Sequence, residues 1–133
     1  MVLQMTNIAV VGSRSFNNYL YMRNKLTEII HGLIAYNGKA LVFPITIISG
    51  GARGADTLAE WFARDYIYAT KIFHAEWDKY GRSAGYRRNV DIINNCNILV
   101  AFWDGTSRGT KHSIDIAKEQ GKPVIIFKDW INA

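Results

Sequence analysis

Three short segments combine glycine, a hydroxyl side chain and an arginine, a composition suited to holding an anion. They are GSRSF at residues 12–16, SGGARGAD at 49–56 and DGTSRGT at 104–110. Each follows an apolar run typical of a buried strand and precedes a helical pattern, so backbone N–H groups and the positive end of a helix dipole point at one spot. Three such turns in one small chain predict a site for a nucleotide or another phosphorylated ligand.

The second segment is the most specific of the three. Gly50 and Gly51 permit close approach of a phosphate to the backbone, and Gly54 starts the next helix with little bulk. Arg53 adds a planar guanidinium that suits phosphate, although a tight turn with a solvated arginine is the structural alternative. Asp56 lies in the first helical turn, where helix capping and hydrogen bonding to a ligand hydroxyl are equally consistent with the sequence.

The first segment follows the opening strand, and its ligand candidates are Gly12, Ser13 and Arg14. For the nearby Ser15, capping of the following segment is the simpler interpretation.

The third segment places amides and hydroxyls directly before a helix, but it lacks the Gly-Lys-Ser/Thr ending of a P-loop. Asp104 either accepts backbone hydrogen bonds in an Asx-turn or acts on the ligand, by orienting a sugar hydroxyl or serving as a base. The ligand candidates in this segment are Gly105, Thr106, Ser107, Gly109 and Thr110.

The stretch AEWDKYGRSAGYRRN at residues 75–89 mixes acids, aromatics and arginines, and residues 75–86 show no clear periodicity, as is common in functional loops. Trp77 is suited to stacking on a base, though an aromatic side chain more often covers the edge of a core. Arg87 and Arg88 open a predicted helix, where a cation is unfavourable with the dipole, so a nearby anion would explain at least one of them.

Apolar runs and helical periodicity alternate along the chain. The predicted strands cover residues 6–11, 45–49, 70–74, 98–102 and 123–127, and the predicted helices cover 19–36, 55–66, 87–95 and 110–120. This alternation predicts an α/β fold with a doubly wound parallel sheet of about five strands and helices on both faces. Ligands of such sheets bind beyond the carboxyl ends of the strands, where all three glycine segments begin.

The chain of 133 residues is 49% apolar and 20% charged, which predicts one globular domain over 1–133 and excludes a disordered tail or a coiled coil. Its formal net charge of +5 favours anionic partners. Because the cations are dispersed rather than gathered in a dense stripe, a nucleic acid is less favoured than a small nucleotide. Surface helices of such domains often pair, so we also expect a homo-oligomer.

Other residue types narrow the chemistry and the compartment. No apolar run reaches bilayer length and the N-terminus lacks a signal-peptide pattern, which predicts a cytoplasmic protein with no membrane partner. Cys96 is the only cysteine, and its apolar neighbours favour a buried structural thiol. The histidines at 31, 74 and 112 show no paired metal-ligand spacing, so we expect neither a metal site nor a cofactor.

Taken together, VVGSRSF, ISGGARGAD, AEWDKYGRSAGYRRN and AFWDGTSRGT resemble the YspA-like branch of the SLOG superfamily. That Rossmann-like group also holds the Smf/DprA DNA-processing proteins and the Lonely Guy phosphoribohydrolases. The resemblance spans almost the whole chain except residues 38–44 and the last few, and it implies a Rossmann-like fold with a pocket for a nucleotide or a nucleotide-derived ligand. The matching positions are Gly12, Arg14, Gly50, Gly51, Arg53, Gly54, Asp56, Arg88, Asn89, Gly105, Ser107, Gly109 and Thr110.

The resemblance leaves catalysis open. Lonely Guy enzymes hydrolyse an N-glycosidic bond with an arginine, which Arg88 matches, and with a glutamate in a PGGxGTxxE motif. Here Ser113 stands at the glutamate position and the leading PGG is absent. We therefore expect binding, as in a sensor, with single-stranded nucleic-acid binding and N-glycoside hydrolysis of a nucleoside monophosphate as alternatives. A hydrolase would need another carboxylate, for which the candidates are Asp104, Glu76 and Asp78.

Overall fold

The computed structural model describes residues 6–37 and 44–132. Residues 38–43, which carry most of the stretch outside the resemblance, lie outside the described residues.

The five strands form one parallel sheet in the order β3-β2-β1-β4-β5. The strands are β1 (Thr6–Gly12), β2 (Ile45–Ser49), β3 (Ala69–Ile72), β4 (Ile98–Phe102) and β5 (Val124–Phe127). The chain runs outward from β1 to β3 and then returns to the other side of β1 to form β4. The strand order therefore reverses between β1 and β4, which is where ligands of doubly wound sheets bind.

Five helices connect or extend these strands. They are α1 (Tyr19–Asn37), α2 (Ala55–Asp65), α3 (Trp77–Tyr80), α4 (Ala84–Asn94) and α5 (Arg108–Glu119), with 3-10 turns at Gly81–Ser83 and Asp129–Asn132. Among these described helices, none combines the length and the apolar character that crossing a bilayer requires.

The two faces of the sheet each carry a separate apolar core, because neighbouring residues of a strand point to opposite sides. In β1, Ile8 and Val10 face α1 and α2, whereas Ala9 and Val11 face α4 and α5. Cys96 is buried in the second core, as the sequence predicted. The structure thus confirms the predicted α/β class, with a doubly wound five-stranded parallel sheet covered on both faces.

The segment before α4 differs most from prediction. Residues 75–86 were expected to lack regular structure, yet they contain α3, a 3-10 turn and the first turn of α4. Helix α4 begins at Ala84 rather than Arg87. Ile93 is buried as predicted, but its buried neighbour in the core is Ile92, whereas Val90, predicted to face inward, is 39% exposed. Tyr66, predicted on the buried face of α2, follows the helix end and is largely exposed, with its ring centroid 4.7 Å from that of Phe62.

Candidate functional site

Ser13 joins the three glycine segments at the carboxyl ends of β1 and β4. Its backbone N–H donates to the carbonyl of Phe102 (3.0 Å), and its carbonyl accepts the N–H of Ala55 at the start of α2 (3.3 Å). Its hydroxyl accepts the N–H of Asp104 (3.0 Å) and lies 3.1 Å from the hydroxyl of Ser107. Ser13 therefore holds the loops in place, and its side chain is already hydrogen-bonded.

Two glycines allow the loops to approach this closely. A Cβ atom on Gly12 would lie 2.4 Å from the carbonyl oxygen of Phe102, and one on Gly54 would lie 2.5 Å from that of Arg14. Gly54 also has a φ of +81°, which side chains rarely adopt. Gly54 thus contributes to the site by allowing the second segment to pack closely against the first.

Asp104 organises the third segment. Its Oδ1 accepts the N–H groups of Thr106 (2.8 Å) and Ser107 (2.7 Å), and its Oδ2 accepts the hydroxyl of Ser107 (2.8 Å). Partial burial raises the pKa of Asp104, but these hydrogen bonds outweigh it and lower the pKa to about 2. The Asx-turn interpretation fits this geometry, and a carboxylate with such a low pKa is poorly suited to hold a proton for catalysis.

The three segments and α4 surround an open cleft with two lobes. The main lobe has a volume of about 830 Å³ and lies over the switch point between β1 and β4. The side lobe, of about 580 Å³, extends toward the end of β3 and is lined by Gly50, Gly51, His74 and Ala75. Residues that line both lobes are Arg14, Ala52, Arg53, Trp77 and Arg88.

The cleft brings together most of the predicted ligand residues. Those that line the main lobe are Gly12, Ser13, Arg14, Arg53, Asp56, Arg88, Asn89, Ser107, Gly109 and Thr110. Gly50 and Gly51 line the side lobe instead.

Five candidates from the sequence line neither lobe: Gly54, Gly105, Thr106, Glu76 and Asp78. Glu76, just before α3, and Asp78, in its first turn, are both exposed, so the structure does not bring these two carboxylates to the cleft. Gly105 and Thr106 form the exposed tip of the turn that Asp104 organises.

Four arginines line the main lobe, namely Arg14, Arg53, Arg82 and Arg88. Within the described part of the chain, none of the four forms a salt bridge with a carboxylate. Two carboxylates, Asp56 and Asp104, line the same lobe, and both are already hydrogen-bonded to backbone N–H groups. The cleft therefore has an excess of positive charge, which favours an anionic ligand.

Arg88 is the most buried of these arginines. Its Nη1 donates to the carbonyl of Gly50 (2.5 Å), and its Nε is a buried donor without a hydrogen-bond partner in the structure. Burial lowers the pKa of Arg88, and the positive charge of Arg14 lowers it further, whereas the negative charge of Asp56 raises it. The guanidinium groups of Arg14 and Arg88 therefore repel one another at the boundary between the lobes. An anion there would relieve this repulsion.

Asp56 is 8% exposed, and its Oδ2 accepts the N–H of Ala52 (3.1 Å). Burial raises the pKa of Asp56 to about 6, although the Ala52 hydrogen bond and the charge of Arg88 act in the opposite direction and Glu60 adds to the rise. The carboxylate therefore closes the loop before α2 and does not accept an N–H of the helix itself, and hydrogen bonding to a ligand hydroxyl stays a prediction. Its raised pKa also makes Asp56 the carboxyl in the main lobe that is suited to exchange a proton near neutral pH.

Helices α4 and α5 form the far wall of the main lobe. The Nδ2 of Asn89 donates to the carbonyl of Gly109 and lies 3.2 Å from Nδ1 of His112, so Asn89 ties the two helices together. Tyr86 packs edge-on against His112, with 4.6 Å between the ring centroids. Trp77 lies at the boundary of the lobes and is 52% exposed. It is therefore less packed against the core than the simpler interpretation of the sequence predicted.

Sequence reasoning did not identify several lining residues as part of the site. Ser113 lies three residues after Thr110, on the same face of α5, and that spacing could have found it. Arg82 and Tyr86 lie in the 75–89 segment that the sequence marked as a functional loop, but their positions in the cleft depend on helical structure that was not predicted. His74 enters the side lobe through its position just after β3 at the edge of the sheet.

Across the described ranges 6–37 and 44–132, the structure contains no group of three or more His, Cys, Asp or Glu residues arranged to hold a metal ion.

No protein-family model matches the chain. The Gene 61 protein of Mycobacterium phage D29 is 28% identical over 131 residues, an alignment that covers 94% of this chain and 98% of that protein.

Three solved structures share the fold. DNA processing protein A (DprA) from Streptococcus pneumoniae has a TM-score of 0.69 at 21% identity, over 93% of this chain and 50% of that one. DprA from Helicobacter pylori, solved to describe its binding of single-stranded DNA, has a TM-score of 0.62 at 18% identity, over 91% of this chain and 64% of that one. TM1055, a structural genomics target, has a TM-score of 0.60 at 20% identity, over 90% of this chain and 72% of that one.

The chain spans about half the length of the S. pneumoniae protein. At these identities the likeness concerns the fold, and it agrees with the Rossmann-like fold that the SLOG resemblance implies. This chain shares its Rossmann-like fold with the DprA proteins.

Proposed function

We propose that the chain is a SLOG-type domain of the YspA-like branch that binds a nucleotide or a nucleotide-derived ligand in the two-lobed cleft and serves as a sensor. The observation that carries the proposal is the set of four arginines around one cleft at the topological switch point, none of which forms a salt bridge with another residue in the described ranges. Four cations against two carboxylates, Asp56 and Asp104, favour a ligand that supplies further negative charge, such as a phosphate.

The chemistry of the walls supports a nucleotide over a simple phosphate ion. Helix α5 begins in the cleft without a side-chain cap on its N-cap residue Ser107, so its first N–H groups remain available to a phosphate. Thr110 and Ser113 add buried hydroxyls that can bind a sugar. Trp77 and Tyr86 present exposed aromatic rings on which a base can stack.

Isothermal titration with AMP tests the proposal. Arg53 is exposed and forms no salt bridge with any described residue, so Arg53→Ala should leave the fold intact. A lost charge-assisted contact of about 1.5–3 kcal/mol corresponds to an affinity roughly 10- to 150-fold weaker. The matched control is Arg64→Ala, which removes an arginine at the opposite end of α2 and leaves the affinity within about twofold. Equal AMP affinity in the wild type and Arg53→Ala would contradict the proposed site.

Single-stranded nucleic acid is the second candidate ligand. It is favoured by the open cleft, by the exposed rings of Trp77 and Tyr86, and by the fold shared with a DprA that binds single-stranded DNA. This candidate predicts an affinity that rises with oligonucleotide length and falls steeply with added salt. Tight binding of AMP that does not increase with length would argue against it.

Hydrolysis of an N-glycosidic bond is a third candidate, and the observation that favours it is the buried carboxyl of Asp56 in the main lobe. Among the carboxylates predicted for this role, Asp104 lines the lobe but is held ionised, and Glu76 and Asp78 lie outside it. Release of free base from AMP that disappears in Asp56→Asn would support hydrolysis. Binding of AMP without release of free base would argue against hydrolysis and favour a sensor.

Cytoplasmic location and self-association stay predictions from the sequence. Cell fractionation tests the first, and sedimentation velocity tests the second.

A further inference from the structure

We propose that the cleft takes a ligand of dinucleotide size, with one nucleoside in each lobe and the linking phosphate at the boundary between them. This inference rests on the proposed nucleotide-binding function and specifies the class of ligand.

The size of the two lobes is the first argument. Their volumes are about 830 and 580 Å³. Small-molecule sites occupy roughly 300–1,000 Å³, so each lobe alone falls within that range. A mononucleotide in the main lobe would leave the side lobe empty.

The distribution of charge is the second argument. Three of the four cleft arginines, Arg14, Arg53 and Arg88, line both lobes, whereas Arg82 lines the main lobe alone. The positive charge is thus concentrated where the lobes meet, and the buried Nε of Arg88 provides a donor there without a partner. A phosphate that links two nucleosides would lie at this boundary, with a nucleoside on each side.

The side lobe has groups suited to a second nucleoside. The imidazole of His74 lies directly beside Gly51: a Cβ atom added to Gly51 would be only 2.6 Å from Nδ1 of His74. Gly51 has a φ of +71°, so the backbone can pass close to this ring. His74 and the neighbouring amides can hydrogen-bond to a base or a sugar, and Trp77 at the boundary offers a face for stacking.

Two sources supply this chemistry: a 3′–5′ linked dinucleotide and a pyrophosphate-linked one. The experiment is therefore a set of isothermal titrations with AMP, the 3′–5′ dinucleotide pApA, NAD and a pA oligomer of eight nucleotides. We expect pApA or NAD to bind about tenfold more tightly than AMP, and the tighter of the two identifies the linkage.

Two variants test whether the tighter binding of the dinucleotide comes from contacts in the side lobe. His74→Ala should weaken the dinucleotide much more than AMP and so abolish most of the dinucleotide's advantage, whereas Tyr86→Ala, in the main lobe, should weaken AMP and dinucleotide alike. His31→Ala, at an exposed histidine on α1, is the matched control and should change neither affinity.

Three results would overturn the inference. AMP could bind as tightly as both dinucleotides, which refutes the two-lobe ligand while the proposed function stands. His74→Ala could weaken AMP and dinucleotide equally, which would place a mononucleotide in the side lobe. The oligomer could bind much more tightly than pApA, which would favour a nucleic-acid strand. Binding of none of the four ligands would instead refute the proposed function itself.

Discussion

Buried Asp56 should make the protein less stable as pH rises through the mildly acidic range. The pKa of this carboxyl is raised from 3.8 to about 6 in the folded state, chiefly by burial. Below pH 3.8 both the folded and the unfolded chain hold the proton. Between pH 3.8 and about 6 the unfolded chain releases it while the folded chain keeps it, so the free energy of unfolding falls as pH rises. Above about pH 6 both states are ionised and the loss is complete.

The magnitude follows from the difference between the two pKa values. A shift from 3.8 to about 6 is about 2 pKa units, and at about 1.4 kcal/mol per unit the loss is about 3 kcal/mol. Asp56→Asn keeps an oxygen that can accept the N–H of Ala52 and carries no ionisable proton, so the variant should not show this loss. At pH 7 the variant should be at least as stable as the wild type.

Urea unfolding at pH values from 3.5 to 7.5 measures this effect, where the pH range is chosen to bracket 3.8 and about 6. Other carboxyl groups titrate in the same range, so the quantity to plot is the wild-type free energy of unfolding minus that of the variant. Asp115→Asn, on the exposed face of α5, is the control. A difference curve that stays flat, or that rises with pH, would refute the assignment of a raised pKa to Asp56.

Three further predictions test the loops and the binding surface. Gly54→Ala should lower the free energy of unfolding by about 1–3 kcal/mol in urea, because Gly54 has a φ of +81° and packs against the backbone of Arg14. Gly32→Ala is the control: Gly32 lies in α1 with open space around it, so an added methyl group should raise the free energy of unfolding by about 0.5–1 kcal/mol. Asp104→Ala should lower the free energy of unfolding by about 0.5–2 kcal/mol, because the turn loses its acceptor, and an unchanged value would contradict that role. Trp77→Ala should weaken AMP binding by about 1–3 kcal/mol while the melting temperature stays nearly constant, since Trp77 is 52% exposed. Unchanged affinity would exclude stacking.

The three central strands, β1, β2 and β4, were predictable because buried parallel strands have nearly continuous apolar sequences, unlike the exposed edge strand β3. Ile45–Ser49 and Ile98–Phe102 match the predicted bounds, and the glycine segment after each strand marks its carboxyl end. The cleft lies at this edge of the sheet, next to the three glycine segments that are suited to binding an anion.

Other features depend on tertiary contacts that leave no periodic signal. Helix α3, of four residues, is too short to show helical spacing, so the residues around it were expected to be irregular. The hydrogen bonds of Ser13 to the third segment require β1 and β4 to be neighbours, which the order of elements in the chain does not specify. The raised pKa of Asp56 likewise depends on its depth below the cleft.

Amide chemical-shift mapping on addition of AMP tests the central claim most directly, because it reports both whether a nucleotide binds and where. We predict that the shifted ¹H–¹⁵N signals come from the residues on the three glycine segments and the start of α4, with those of Arg14, Arg53 and Ser107 among the largest. Signals from the opposite ends of the strands, such as that of Ile45, should stay unchanged. Saturable shifts confined to that opposite end, or no shifts at millimolar AMP, would contradict a nucleotide site in this cleft.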